Sequence, residues 1–144
     1  EMAKEGKGEG PITAQRGTID RLFAGDSVNH IIDALDGEAA AGGEPAAWAA
    51  KTAATIRTKS PLSLKLALAQ VRRGAVCDFE TCMKMEMRIV SRVIRGHDFY
   101  EGVRAVLVDK DNKPQWNPAT LKQVSAAEVE RHFAPLDGGE LALP

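Results

Sequence analysis

The chain has 144 residues, long enough for one domain with its own hydrophobic core. It carries 19 lysine and arginine residues against 20 aspartate and glutamate residues, a formal charge of -1, so no overall field attracts nucleic acid or an anionic membrane. Two cysteines are too few for a disulfide framework, and we expect both to be reduced thiols.

No stretch of the sequence is typical of a membrane span or a targeting leader. The apolar runs are only a few residues long, far short of the roughly 20 residues that cross a bilayer. No basic segment followed by an apolar one precedes them. We therefore expect a soluble protein without an export signal. Because Glu1 precedes Met2, we also expect a piece of a longer protein.

The predicted elements begin after a polar N-terminal stretch. Residues 1–11, EMAKEGKGEGP, are charged and glycine-rich with nothing to bury, which predicts a flexible lead-in. Residues 12–144 are predicted to form one helical domain. Its first helix is expected from about Thr13 to Phe23.

A second helix is predicted with a clear amphipathic stripe. Asp26 or Ser27 is placed to cap it, and apolar residues recur at the i, i+3, i+4 and i+7 spacing of one helix face. The stripe consists of Val28, Ile31, Ile32 and Leu35. Gly37 is expected to end this helix.

Two further helices are expected beyond the small-residue loop at 37–45. Pro45 suits the first turn of the earlier one. Its weaker stripe consists of Trp48, Thr52, Thr55 and Ile56. In the later one Ser60 is the predicted cap, Pro61 the first helical residue and Gly74 the end.

A long helix is then predicted from an Asp78 cap to about Arg95. At about 100° per residue, one face is apolar with Glu86 in its middle. The apolar residues of that face are Phe79, Cys82, Met83, Val90 and Val93.

Two patterns of an acceptor followed three residues later by glutamate predict the last helices. Asp98-x-x-Glu101 is a capping-box arrangement, and Ser125-x-x-Glu128 repeats it. The inward face after the first box is expected to be Phe99, Val103, Val106 and Leu107. Six or seven helices, few strand signals and no internal repeat predict an all-α fold.

The histidines belong to no catalytic or metal-binding motif. We expect His30 and His132 to be exposed on charged helix surfaces. His97 is expected to follow a helix C-terminus, where positive charge is favoured. We predict no catalytic residue and no metal ligand in this chain.

Glu86 needs a partner, because an unpaired carboxylate buried on an apolar face is strongly unfavourable. One interpretation is a general acid or base with a raised pKa. The favoured interpretation is a structural ion pair with an arginine such as Arg104, because no second carboxylate is placed to act with Glu86.

Lys110 and Lys113 follow a helix C-terminus and are the one place where a charged ligand is considered. A lysine ammonium suits a phosphate, but a cation at this position is also favoured by the helix dipole alone. Composition by itself favours the dipole explanation.

A family resemblance is carried by SPLSLKLALAQVRRG, by RGHDFYEGVRAVLVDKDNKPQWNPATL and by HFAPL after them. These segments resemble the C-terminal region of the 3-hydroxyisobutyryl-CoA hydrolases, a branch of the crotonase (enoyl-CoA hydratase/isomerase) superfamily. The resemblance runs from about Ile19 to Pro144.

The resemblance implies a two-part parent enzyme that hydrolyses an acyl-CoA thioester, 3-hydroxyisobutyryl-CoA in valine breakdown. The catalytic groups would lie in an N-terminal domain absent from this chain, with the helical part as a lid and subunit-packing element of a homo-oligomer. It implies no cofactor, since coenzyme A is part of the substrate. Lys110, with Lys113 nearby, would reach a CoA phosphate.

The resemblance also implies structural roles for five residues around the sixth predicted helix. Gly96 would form a corner, Asp98 and Glu101 would cap the following helix, Gly102 would allow a close approach, and Trp116 would anchor the chain on apolar surface.

Two alternatives remain open from the sequence. One is hydratase or isomerase chemistry of the same superfamily, and the other is a stand-alone helical interaction module. The expected location is the cytoplasm of a bacterium, or the mitochondrial matrix if the source is eukaryotic.

Overall fold

The structure is a computed structural model that describes residues 10–142. The chain divides into two compact units, one ending at Arg57 and one beginning at Thr58, and each is described by itself. The lead-in predicted at residues 1–11 lies almost entirely outside the described residues. Every regular element within the described range is helical, which confirms the all-α prediction.

The described range contains eight α-helices, more than the six or seven predicted. They are α1 (Pro11–Ala14), α2 (Arg16–Leu22), α3 (Val28–Ala41), α4 (Ala46–Arg57), α5 (Pro61–Gly74), α6 (Phe79–Val93), α7 (His97–Val103) and α8 (Ala126–Phe133). A π-helical turn, Arg104–Val108, continues α7, and a short 3-10 helix, Leu121–Gln123, precedes α8. Of these helices none has the length and apolar character to cross a membrane.

The first predicted helix is divided in the structure. α1 and α2 take the place of the continuous helix expected from about Thr13 to Phe23, with Gln15 between them. Gly17, in the first turn of α2, has low helix propensity, which is consistent with a break at this point.

α3 begins as predicted and ends later than predicted. Ser27 is its cap, because the Ser27 side chain accepts a hydrogen bond from the His30 N–H at 3.2 Å. The predicted end at Gly37 is wrong, since α3 runs on to Ala41. A glycine inside a helix costs only about 1 kcal/mol, and the alanines that follow favour helix.

In the first unit α3 packs against α4. The predicted stripe of α3 is buried: Val28, Ile31, Ile32 and Leu35. α4 buries Ala49 and Ala53 instead of the whole predicted stripe, and Thr55 is exposed. The turn between them places Gly42 and Gly43 at φ values of 77° and 91°, which glycine adopts without steric cost.

The second unit confirms three predicted helix caps. Ser60, Asp78 and Ser125 each accept a hydrogen bond from the backbone N–H three residues on, at 3.1, 2.8 and 3.0 Å. These bonds satisfy donors that lack a partner within the helix. α5 spans Pro61–Gly74 as predicted.

The core of the second unit lies among α5, α6 and α8. It consists of Leu66, Met85, Ile89, Val124, Val129 and Phe133. α6 therefore turns Met85 and Ile89 inward, with Cys82 half-buried beside them. The predicted apolar face of α6 is only partly confirmed: Cys82 and Val93 pack beside the core, whereas Phe79 and Val90 are exposed. α6 has apolar residues on more than one face, and its contact with α8 decides which of them is buried.

Candidate functional site

The candidate site is built around the hook, which we define as residues 109–117. Two carboxylates of α7 hold its far end. Asp98 Oδ1 accepts a hydrogen bond from the Asn117 N–H at 2.8 Å, and Glu101 Oε1 accepts one from the Gln115 N–H at 2.6 Å. The hook is therefore tied back onto the helix that precedes it.

The predicted capping box at Asp98 and Glu101 is wrong. Gly96 is the residue before the first helical position of α7, and no side chain caps this end. Asp98 lies inside the helix, where its Oδ2 accepts a hydrogen bond from the Ser60 hydroxyl. Both carboxylates thus serve contacts between elements rather than the N-terminus of α7.

Arg104, at the start of the π-helical turn, contacts the N-terminal part of the hook. Its Nε and Nη2 donate to the two oxygens of Glu101 at 2.9 and 2.8 Å. Its Nη1 donates to Asp109 Oδ2 at 2.6 Å and to Asp111 Oδ2 at 2.8 Å. Nη2 also donates to the Lys113 carbonyl at 3.3 Å. One guanidinium thus joins three carboxylates and the hook backbone.

This network shifts the protonation equilibria of its members. The Arg104 guanidinium, followed by the Gln115 N–H, lowers the pKa of Glu101 from 4.5 to about 2. Arg104, followed by the Lys113 N–H, also lowers the pKa of Asp111. Hydrogen bonds to Glu101, then Asp111 and Asp109, raise the pKa of Arg104. The ionised form of every one of these three groups is favoured.

The hook begins with unusual backbone geometry. The Asp109 N–H donates to the Arg104 carbonyl at 2.8 Å, and the Asn112 N–H donates to the Ala105 carbonyl at 3.0 Å. Lys110 and Asn112 have φ values of 57° and 54°, a left-handed region that non-glycine residues occupy at a cost of roughly 1–2 kcal/mol each. Neighbouring contacts must hold such residues in place.

Lys110 and Lys113, the predicted phosphate-binding residues, both lie on the hook and are exposed. Their backbone groups are engaged, since the Lys113 N–H donates to Asp111 Oδ1 at 2.8 Å. Within residues 10–142 no carboxylate forms an ion pair with either ammonium group. Binding of a CoA phosphate by these lysines stays a prediction.

Trp116 packs against Gly102. A Cβ atom added at Gly102 would lie 3.4 Å from Trp116 Cη2, an ordinary van der Waals contact, so any side chain longer than that of alanine would meet the ring. The Trp116 Nε1–H donates to the Thr58 carbonyl at 3.0 Å. The indole therefore fixes the end of the hook against two other segments of the same unit.

A cavity of about 520 Å³ opens beside this anchor. Its walls are largely apolar and include Leu62, Leu66, Val93, Val103, Val106 and Trp116. His132 also lines it and is only 3% exposed, so the prediction of an exposed His132 is wrong. α8 turns its His132 edge toward the core, where Nδ1 lies 2.9 Å from the Glu128 carbonyl oxygen.

The other two histidines are exposed, and each ring contacts a nearby carboxylate. His30 contacts Asp26 of its own segment, and His97 Nδ1 lies 3.0 Å from Asp98 Oδ1. The described part of the chain holds no group of three or more histidine, cysteine, aspartate or glutamate side chains able to bind a metal ion. Both cysteines are free.

Glu86 does not pair with Arg104, contrary to the favoured interpretation. It is exposed on α6 and accepts a hydrogen bond from the Gln70 side chain. The reason is the orientation of α6, which turns Met85 rather than Glu86 into the core. Because Glu86 is exposed, its carboxylate does not need a charged partner.

Two groups stand out among the exposed apolar side chains of the second unit. Along α6 and its C-cap Ile94, the exposed side chains are Phe79, Met87, Val90 and Ile94. On the π-helical turn they are Val106, Leu107 and Val108, with exposures of 55%, 66% and 68%. The prediction that Phe99, Val106 and Leu107 face inward is wrong: Phe99 is 44% exposed on α7, and the π-helical turn carries Val106 and Leu107 outward within this chain.

Sequence reasoning did not identify the Arg104 network or the burial of His132. The network had a signal, because aspartates alternate with lysines at 109–113 and an arginine precedes them within one or two helical turns. The burial of His132 had none, since it depends on how α8 packs.

The family follows from comparison with known proteins. A model of the family described as enoyl-CoA hydratase/isomerase matches residues 1–133. The chain belongs to the enoyl-CoA hydratase/isomerase family. This confirms the superfamily that the segments at 60–74 and 95–121 resemble.

Two curated relatives align with most of the chain. The mitochondrial 3-hydroxyisobutyryl-CoA hydrolase of Danio rerio is 42% identical over 137 residues, 94% of this chain and 34% of its own length. The small ribosomal subunit protein mS47 of Arabidopsis thaliana is 43% identical over 135 residues, 88% of this chain and 32% of its own length. The chain thus spans about a third of the curated relatives it matches.

A solved structure shares the fold. The carnitinyl-CoA dehydratase from Mycobacterium thermoresistibile superimposes with a TM-score of 0.79 at 38% sequence identity, covering 94% of this chain and 37% of that protein. The chain's fold therefore matches a little over a third of that dehydratase.

Proposed function

We propose that the chain is the helical C-terminal part of an acyl-CoA thioester hydrolase that acts on 3-hydroxyisobutyryl-CoA in valine catabolism. In that reaction water cleaves the thioester bond, giving 3-hydroxyisobutyrate and the free thiol of coenzyme A. The chain serves as a lid and subunit-packing element, and the catalytic groups lie in the rest of the enzyme.

The exposed apolar surface of the second unit carries this proposal. Phe79 is 75% exposed and Leu107 is 66% exposed, and such residues in groups mark surfaces that another protein surface covers. The similarity to the Danio rerio hydrolase over 94% of this chain but 34% of that enzyme supports the remaining two thirds as the covering body.

The hook supplies the contact that this part offers to the substrate. Lys110 and Lys113 are exposed cations, and an ammonium group is a suitable partner for a phosphate of coenzyme A. Neither residue touches the reacting thioester in this proposal. Their contribution is to binding.

Assay of the full-length protein tests the activity. We expect release of free CoA thiol from 3-hydroxyisobutyryl-CoA and little hydration of crotonyl-CoA, whereas the chain alone gives neither reaction above background. Hydration of crotonyl-CoA as the faster reaction would favour the hydratase chemistry of the same family, and thioester cleavage by the chain alone would contradict the placement of the catalytic groups.

A chimera tests the lid role separately. The residues of the Danio rerio hydrolase that match this chain are replaced by the chain, and a truncated hydrolase without them is the control. We expect thioester hydrolysis by the chimera and a large loss in the truncated protein. A chimera that folds but is no more active than the truncated protein would contradict the lid role.

The similarity to ribosomal protein mS47 favours a second candidate, a structural role in a larger assembly. In that case the full-length protein would show neither hydrolysis nor hydration. For the source, the mitochondrial hydrolase of Danio rerio supports the mitochondrial matrix as the location if the organism is eukaryotic, with the cytoplasm as the bacterial counterpart.

A further inference from the structure

We infer that Arg104 is a positioning residue that keeps Lys110 and Lys113 free to bind the phosphate groups of coenzyme A. The inference rests on the proposed function for the identity of the ligand. The Arg104 guanidinium sets both the charge and the backbone shape of the hook.

The start of the hook carries both acidic and basic residues. Its sequence, DKDNK, places a carboxylate within two residues of each lysine ammonium. Arg104 Nη1 contacts both of those carboxylates, Asp109 Oδ2 at 2.6 Å and Asp111 Oδ2 at 2.8 Å. Without Arg104 these carboxylates would be free to pair with the lysines and to repel a phosphate.

Arg104 also supports the backbone conformation of the hook. Lys110 and Asn112 both lie in the left-handed region, which is strained for residues that carry a side chain. Arg104 helps to hold this conformation through its bond to the Lys113 carbonyl at 3.3 Å and its bond to Asp111. The π-helical turn that starts at Arg104 is itself a feature frequent at functional sites.

The side chain of arginine suits this role better than that of lysine. A guanidinium presents five donors in a fixed planar arrangement, whereas a lysine ammonium is a point charge on a flexible stem. Arg104 uses these donors on three carboxylates and a carbonyl. Arg104→Lys therefore retains the positive charge but cannot hold all of these groups together.

The test compares two substrates in the full-length enzyme, the acyl-CoA and the corresponding acyl-pantetheine, which lacks the nucleotide and its phosphates. For Arg104→Lys we expect KM for the acyl-CoA to rise about tenfold, the size expected for loss of one charge-assisted hydrogen bond. KM for the acyl-pantetheine should change less than twofold, on the order of measurement error. Arg131→Lys is the matched control, since within residues 10–142 Arg131 makes only an ion pair with Glu128 at the surface, and neither KM should change.

Two further variants separate positioning from a general structural effect. Lys110→Ala should give the same selective rise in KM, and the Arg104→Lys/Lys110→Ala double variant should rise less than the product of the single effects. An equal rise in KM for both substrates, or no rise for either, would overturn the inference. Fully multiplicative effects of the two substitutions would do the same.

If the full-length protein does not hydrolyse the thioester, the proposed function is wrong, but the role of Arg104 in binding coenzyme A can still be tested. Binding of coenzyme A and of pantetheine to the full-length protein is then measured by titration calorimetry. We expect coenzyme A to bind more tightly than pantetheine, and Arg104→Lys to remove that difference. Equal binding of coenzyme A by the unmodified protein and the Arg104→Lys protein would refute the inference.

Discussion

Glu101 and Arg104 form a two-pronged ion pair, with Arg104 Nε and Nη2 lying 2.9 and 2.8 Å from the two Glu101 oxygens. The Glu101 side chain is only 11% exposed. Glu101 Oε1 also accepts the Gln115 N–H at 2.6 Å. A single carboxylate therefore joins α7, the π-helical turn and the hook.

The pair predicts a pH dependence of stability. Because the pKa of Glu101 falls from 4.5 to about 2 on folding, its ionised form favours the folded chain. That contribution is complete above pH 4.5 and is lost as the pH falls toward about 2. Urea unfolding of the unmodified chain and of Glu101→Gln should differ by a constant amount above pH 4.5, and the difference should shrink below it. A difference that is independent of pH would contradict this assignment.

Asp98 predicts a loss of stability accompanied by faster amide exchange at Asn117, and loss of a helix cap alone would not give the second effect. Asp98→Ala removes the acceptor for the Asn117 N–H and for the Ser60 hydroxyl, so we expect the free energy of unfolding to fall by about 1–3 kcal/mol. Amide hydrogen exchange at Asn117 should become faster as well. Asp26→Ala is the control, since the Asp26 side chain is 79% exposed, and its loss should be within about 1 kcal/mol. Unchanged exchange at Asn117 would argue against the contact.

Gly102 predicts a steric effect on the tryptophan. Gly102→Ala should be tolerated, because the new Cβ would lie 3.4 Å from Trp116 Cη2. Gly102→Leu should displace the ring and destabilise the second unit by about 1–3 kcal/mol. In a Trp48→Phe background, Trp116 emission should shift to longer wavelength.

Gly37→Leu is the matched control for that substitution. A Cβ atom at Gly37 meets nothing within 4 Å, and leucine is a better helix former, so stability should rise by up to about 1 kcal/mol. Equal effects of the two leucine substitutions would show that helix propensity, not the Trp116 contact, determines the outcome at Gly102.

The helix boundaries that the sequence predicted well are those set by local chemistry. Ser60, Asp78 and Ser125 are caps because a side-chain oxygen reaches an amide three residues on, and that contact needs no tertiary partner. Asp98 has the same pattern but lies within reach of Asn117. A long-range donor therefore replaced the local one, which periodicity and spacing cannot reveal.

Buried faces were predicted less well for a related reason. The buried face of α3 was predicted correctly because this helix has one apolar stripe, whereas α6 has apolar residues on more than one face. Contact with α8 buries Met85 and Ile89 and leaves Phe79 and Val90 outside. The same rotation exposes Glu86 and removes the need for its predicted arginine partner.

The exposed apolar side chains give a prediction of their own. Phe79→Gln and Leu107→Gln should change the stability of the chain by less than about 0.5 kcal/mol, because these side chains are 75% and 66% exposed. Both should reduce binding of a hydrophobic dye. Leu35→Gln is the contrasting variant, since Leu35 is fully buried and should lose several kcal/mol, more than about 2. Strong destabilisation by Leu107→Gln would contradict the exposure of that side chain.

The central claim is that the apolar surface of the second unit requires a covering body, and light scattering with a hydrophobic dye tests it most directly. We expect the chain alone to self-associate and to bind the dye, and we expect Phe79→Gln/Leu107→Gln to weaken both properties. Within the chimera that contains the remaining two thirds of the Danio rerio hydrolase, dye binding should fall sharply. A chain that stays monomeric at high concentration and binds no dye would contradict the claim.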